Sequence, residues 1–244
     1  IAIVVPELQT RRAELERQLA EILLPGDNQA LQKSKPWNIS MGTPLSRVPM
    51  VETAFDLLKL LDHRIDIQDV GRVLRSPWLH AALDERNNRA LLEKCLRDKY
   101  PRQLKLSEVI YRASEIKTHD RHRNELPEDQ HEAQPWNSPE LTAVLNKLNY
   151  FGHENTQQRP ASAWAECFDQ LLQSLGWPLA DEPAEDHDQN WQAFQFWRDA
   201  LRELASLDAT IPKLDRNSAI QQLKQICRET IFQARSATAP IQVL

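Results

Sequence analysis

Apolar residues recur along most of this chain at helical spacing, and only its two ends read clearly as strands. Ile1-Ala-Ile-Val-Val-Pro6 and Pro240-Ile-Gln-Val-Leu244 are short apolar runs bounded by proline, a pattern of buried strands in a parallel sheet. After the first run, Leu8, Leu15, Leu19, Ile22 and Leu23 predict a helix that stops at Pro25-Gly26. Glu7/Arg11, Arg12/Glu16 and Arg17/Glu21 supply i,i+4 pairs for its outer faces. A second short strand is expected at Trp37-Asn-Ile-Ser-Met41, followed by Gly42-Thr-Pro and a helix whose core face is Val48, Val51, Phe55, Leu58 and Leu61. Strand, helix, strand, helix is how an α/β lobe opens.

The pattern then changes. Helices are predicted over residues 66–75, 85–98, 106–116, 139–151, 161–175, 187–207 and 216–234, with no further strand before the last five residues. The middle of the chain therefore reads as an all-helical insertion. Ser138-Pro139 and Asp215 are the expected helix caps, Pro139 standing at a first helical position where its missing N–H costs little. Trp191, Phe194, Trp197, Leu201 and Leu204 form one apolar stripe, and Ile220, Leu223, Cys227 and Ile231 another, so both helices are expected in the core. Residues 118–137 and 180–190 have no apolar periodicity and read as polar, acidic connections.

Composition narrows the class. The 244 residues are 41% apolar, with a mean hydropathy of -0.58, and no stretch has the length of a transmembrane helix, so a cytoplasmic, membrane-free protein is expected. The first residues lack the basic and small-residue features of a secretion signal. Starting and stopping inside strands, the chain is expected to be a piece of a longer protein. Cys95, Cys167 and Cys227 are far apart, lack ligand spacing and are read as small core hydrophobes. The net charge of -5 is unevenly spread: residues 64–123 hold 14 Lys and Arg against 9 Asp and Glu, whereas residues 124–191 hold 2 against 13. A basic half can follow phosphates while an acidic half repels them.

No catalytic motif emerges. The five glycines stand singly, so neither a Gly-x-x-x-x-Gly-Lys-Ser/Thr loop nor a Gly-x-Gly-x-x-Gly turn is present. There is no Gly-x-Ser-x-Gly elbow, no His-Glu-x-x-His and no paired strands carrying an Asp and a Glu-x-Lys for Mg²⁺. Asp62 and Asp66 stand at helix ends, where capping accounts for them. His119, His122 and His131 lie near Asp120 in a polar segment without a scaffold for tetrahedral geometry, so no metal site is expected. This stretch of chain is expected to be neither an enzyme nor a cofactor binder.

Several segments together resemble a known family. The succession IAIVVPEL, QTRRAELERQLAEIL, PWNISMGTPLSRVPMVETAFDLLKLL, a long helical region and PIQVL resembles the second lobe of UvrD-type superfamily 1 helicases, into which a helical accessory subdomain is inserted. More narrowly, IDIQDVGRVLRSPWLHAA and ASAWAECFDQLLQSLGWP look like the AddB-like DNA repair proteins, relatives of RecB-type recombination nucleases. Leu74-Arg-Ser-Pro-Trp-Leu79, Gly42-Thr-Pro-Leu-Ser46 and Leu175-Gly-Trp-Pro178 are its most distinctive pieces. The resemblance implies a mainly α fold: a small parallel β/α remnant of a helicase-like lobe, residues 1–62 plus 236–244, around a helical accessory subdomain, residues 63–235. It further implies that the two terminal strands lie side by side in parallel.

In function, the resemblance implies a non-catalytic part of a DNA repair or recombination protein, guiding single-stranded or forked DNA beside helicase-like and PD-(D/E)XK exonuclease domains. Mg²⁺ and ATP would serve those neighbouring domains. The alternative is a protein-interaction scaffold that docks a partner subunit or the nuclease domain. The residues themselves nominate a DNA-contacting set: Arg72 and Arg75 at the end of a short helix, Trp78 just after it, and Arg86, Arg89, Lys94 and Arg97 on the next helix. Arg and Lys reach phosphates by charge-assisted bonds and an exposed Trp stacks on a base, while helix capping by Arg75 and burial of Trp78 form the competing structural explanation.

Overall fold

The computed structural model describes residues 1–24, 36–39, 42–100, 102–114, 136–178, 187–234 and 240–243. Of the expected connections over 118–137 and 180–190, residues 118–135 and 180–186 lie outside the described residues, as do His119, His122, His131 and the stop at Pro25-Gly26, while residues 187–190 are helical. The chain is mainly α. It runs β1 (Ala2–Ile3), α1 (Leu8–Leu23), β2 (Trp37–Ile39), β3 (Thr43–Pro44), α2 (Pro49–Lys59), β4 (Ile65–Asp66), α3 (Ile67–Arg75), α4 (Arg86–Lys99), β5 (Gln103–Leu104) and α5 (Leu106–Ser114). It continues with α6 (Pro139–Glu154), α7 (Ala161–Ser174), α8 (His187–Ser206), α9 (Arg216–Glu229), β6 (Ile231–Phe232) and β7 (Ile241–Val243). Among these residues no helix is long and apolar enough to cross a membrane.

The two ends of the chain meet. β7 lies between β1 and β2 in a three-stranded sheet and runs parallel to both, with Ala2 opposite Gln242 and Trp37 opposite Ile241. The ammonium group of Ile1 donates to the Pro240 carbonyl at 2.7 Å. One face of this sheet is covered by α1: Leu8, Trp37, Ile39 and Val243 are buried together, with Leu15 and Leu19 packed against them. β1 pairs in parallel as expected but is not the buried strand its apolar run predicts. It is an edge strand, and Ile1, Ile3 and Val4 are exposed, as is Ile22, expected on the core face of α1.

A second, much larger core begins at Leu45. α2 belongs to it, so the boundary between the two cores falls ahead of this helix and not after it, as the strand–helix order implied. The reason is aromatic packing across the chain. Phe55 on α2 meets Trp197 on α8 edge-on, with ring centroids 5.5 Å apart, and Trp177 meets Trp197 at 5.3 Å. The indole N–H of Trp177 donates to the Met50 carbonyl at 2.9 Å, across 127 residues of sequence, and that of Trp164 donates to the Leu214 carbonyl at 2.8 Å. Arg216, at the start of α9, donates to the carbonyls of Leu61 and Gly152, joining the C-terminal ends of α2 and α6. Cationic groups favour helix C-termini because the unpaired carbonyls there carry partial negative charge.

Several expectations need correction. Trp191 is exposed although its stripe partners Trp197, Leu201 and Leu204 are buried. α9 ends at Glu229 and not near residue 234, because Ile231–Phe232 leaves the helix to pair antiparallel with Thr43–Pro44, and Ile231 is exposed. Ile65–Asp66 and Gln103–Leu104 form another two-stranded ladder. These ladders are two residues long, too short to leave an alternation in the sequence. Of the cysteines, Cys227 is fully buried, and burial, with Glu203 nearby, pushes its thiol up to about 12, whereas Cys95 and Cys167 are only partly buried.

Trp197 touches aromatic rings from two other elements, so Trp197→Ala should cost about 3–5 kcal/mol. A urea titration should show a lower midpoint with an unchanged slope, and a midpoint equal to that of the parent chain would contradict the central role given to this ring.

Candidate nucleic-acid interface

The nominated cations stand on α3, α4 and the turn between them. α3 is amphipathic: Ile67, Val70, Val73 and Leu74 are buried, while Arg72 and Arg75 leave from its last turn. Its start is capped by Asp66, which accepts the Gln68 N–H at 2.8 Å. α4 packs directly on α3 because Gly71 offers no side chain there: a Cβ at this position would stand 2.6 Å from Glu93 Oε1.

Glu93 is the centre of the arrangement. It is buried on α4 and accepts from Arg75 on α3, while the Nε and Nη2 atoms of Arg97 donate to the same oxygen at 2.9 and 2.6 Å. Two guanidinium groups thus share one carboxylate, leaving an excess of positive charge. Both arginines remain about half exposed. Arginine is suited to this double duty, since its planar fork holds one partner and keeps further N–H donors for another.

Arg72 differs. Its Nε and Nη2 donate to the two oxygens of Asp56, each at 2.9 Å, and Nη2 also bonds Asp69. Lys59 reaches Asp69 from α2. Two acids and two bases here balance, so Arg72 ties α2 to α3 and adds no net charge to the surface. The bonds from Asp56 hold the guanidinium above its ordinary value against the effect of burial. Burial alone would raise the Asp69 carboxyl, but the bonds and charges of Lys59 and Arg72 outweigh it and bring the group below its ordinary value.

Two of the nominated residues face inward. Trp78 is only 8% exposed and packs in the main core, so it is not available to stack on a base. The turn that carries it is drawn onto α2: the Ser76 hydroxyl accepts the Trp78 N–H at 3.2 Å and pairs with the Thr53 hydroxyl at 2.9 Å. Arg89 is 1% exposed and is a structural residue, not a surface cation. It donates to the Glu85 carboxylate at 3.1 and 3.2 Å and to the His80 carbonyl at 2.8 Å, beside Ala81, whose φ of 53° is left-handed. Burial lowers the Arg89 guanidinium, and Glu85 offsets part of that effect.

Glu85 itself also caps a distant helix. Its two oxygens accept the N–H groups of Glu140 and Leu141, at 2.8 and 3.0 Å, at the start of α6. Ser138 was the expected cap, but its hydroxyl donates instead to the Trp136 carbonyl. Asp215 does cap α9 as expected, accepting the Ser218 N–H at 2.9 Å. Only the periodic residues around Glu85 were readable in the sequence, because a carboxylate that caps a helix 55 residues later leaves no local signature.

The arrangement leaves Arg75 and Arg97, with exposed Arg86, Lys94 and Lys99, as surface cations of α3 and α4. Such a surface can bind phosphate groups. Among the described residues, no group of three or more His, Cys, Asp or Glu side chains is placed to hold a metal ion. No protein-family model and no curated protein matches the chain.

Two measurements check this geometry. Arg89→Ala leaves Glu85 buried without its cation and should cost about 3–5 kcal/mol in chemical denaturation. The lowered Asp69 carboxyl contributes stability that is present above its unfolded value of 3.8 and is lost as pH falls through the depressed folded value. Stability of the parent chain should therefore exceed that of Asp69→Asn at neutral pH, and the gap should close in acid. A gap that stays constant with pH would remove Asp69 from this role.

Proposed function

We infer that this chain is a non-catalytic part of an AddB-like DNA repair or recombination protein, where it guides single-stranded or forked DNA past helicase-like and nuclease domains. The observation that carries the reading is the pair of arginines, Arg75 and Arg97, which converge on the buried Glu93 while staying open to solvent. Ion pairing to a buried carboxylate fixes both guanidinium groups before a ligand arrives, so less side-chain entropy is lost on binding a phosphate. Arg86 and Lys94 extend the same surface along α4.

The fold supports the architectural half of the proposal. A chain that leaves a parallel sheet, forms a helical body and returns on the strand between its first two strands has the form of an insertion in a larger lobe. Mg²⁺ and ATP belong, in this reading, to the neighbouring domains of the parent protein, and the protein works in the cytoplasm. A second reading, a scaffold that docks a partner subunit or the nuclease domain, draws on the exposed Ile1, Val4 and Ile22 around the sheet. An exposed apolar surface of this kind is where another domain can pack.

Titration of single-stranded and forked DNA at several salt concentrations separates these readings. Arg75→Gln with Arg97→Gln keeps a hydrogen-bonding side chain beside Glu93 and should weaken binding on the order of tenfold at low salt, with the salt slope reduced by about one for each phosphate no longer neutralised. Binding that ignores salt, or an unchanged slope in the double variant, would favour the scaffold.

A further inference from the structure

On the side of α4 turned away from the arginine pair lies an open groove of about 450 Å³, lined by Leu91, Lys94, Cys95, Asp98 and Lys99 of α4 and by Trp136. Its lining is unusual for a surface. Leu91 is 41% exposed at the groove, and the indole N–H of Trp136 is buried without a hydrogen-bond acceptor among the described residues. Exposed Leu91 and the Trp136 side chain give the groove an apolar wall, which a ligand with apolar faces would cover.

The charges define that ligand further. Lys94 and Lys99 stand at the groove against the single carboxylate of Asp98, and both lysines are exposed. Five residues of α-helix separate them, about 7.5 Å along the axis, comparable to the spacing of successive phosphates in an extended strand. Lys94 is also three residues from Arg97, on adjoining sides of the helix, so anions held by the arginine pair lead over Lys94 to the groove. A flat group with apolar faces and an anion on either side fits these features.

We propose that this groove is a base slot: it takes one unpaired nucleobase of a single-stranded polynucleotide, between Leu91 and Trp136, with Lys94 and Lys99 on the flanking phosphates. The proposal rests on the DNA-guiding reading and deepens it. It assigns the preference for single strands to a site separate from the arginine pair, since a base held in a duplex cannot reach the slot. It also replaces Trp78, which is buried, by Trp136 as the aromatic contact. A base in an aromatic-lined site contributes regardless of its identity, because each base has a π face, so little sequence preference is expected.

The test compares fluorescein-labelled oligothymidylate with an abasic deoxyribose-phosphate oligomer of the same length, titrated by anisotropy with the full chain. The parent chain should bind oligothymidylate on the order of tenfold more tightly than the abasic oligomer. Trp136→Ala should bring the two affinities together by weakening oligothymidylate alone. Leu91→Asn, at an exposed position where folding is safe, should do the same. Equal affinities in the parent chain, or an undiminished difference in both variants, would overturn the base slot while leaving phosphate binding intact. Failure of both oligomers to bind would instead overturn the DNA-guiding reading and the slot with it. Tight binding of an acidic, Phe-containing peptide by a chain that ignores oligothymidylate would assign the groove to a protein partner, and would equally overturn the proposal.

Discussion

Glu85 is buried and bonded on two sides, accepting the free N–H groups at the start of α6 and the guanidinium of Arg89, so that α6 is fixed to the turn before α4. Arg89 in turn holds the His80 carbonyl, which fixes the turn itself. The arrangement satisfies groups that would otherwise be expensive: a buried charge needs its partner, and the first N–H groups of a helix need acceptors. With this joint in place, α4 presents a defined surface to solvent. Without it, α4 would still pack on α3, and of its hydrogen bonds to the start of α6 among the described residues only that from the Asn88 amide to the Asn137 carbonyl would remain.

The cationic face is built on that rigid footing. Gly71 lets Glu93 approach α3, and Glu93 then gathers Arg75 from one helix and Arg97 from the other. The neighbouring cluster of Asp56, Lys59, Asp69 and Arg72 uses similar residues for a different end, since its charges cancel and its bonds bind α2 to α3. The difference lies in stoichiometry: two bases on one acid leave charge for a ligand, two on two do not. In the proposed function, phosphate binding therefore falls to Arg75 and Arg97 more than to Arg72, although all three arginines look equivalent along the chain.

The proposed function joins two scales. At the larger scale, the parallel pairing of β1 and β7 makes the helical body an excursion from a sheet, the architecture the proposal calls for. At the smaller scale, the arginine pair and the groove beside Trp136 lie on opposite flanks of the same helix, with Lys94 between them. A strand crossing α4 would meet phosphate contacts first and a base contact next. Guidance of a single strand needs no more chemistry than this, and the sequence offers no motif for more.

Helix positions were legible because helices are local. Apolar spacing of three and four residues located the helices to within a few residues where they are described, except the end of α9, and Asp66 and Asp215 marked two of their starts. The proline-bounded apolar runs at the ends announced parallel strands, and the pairing across 239 residues fits them. What the residues could not announce was which charge meets which. Arg75 and Glu93 are 18 residues apart, Glu85 and the α6 start 55, and Trp177 and Met50 127, so each pairing exists only after helices pack. Burial made the same selection among the nominated contacts, taking Trp78 and Arg89 inside and leaving Arg75 and Arg97 out. Local periodicity is written in neighbouring residues and the sequence determines it alone; the assignment of a cation to core or surface depends on long-range packing, and the tertiary structure decided it.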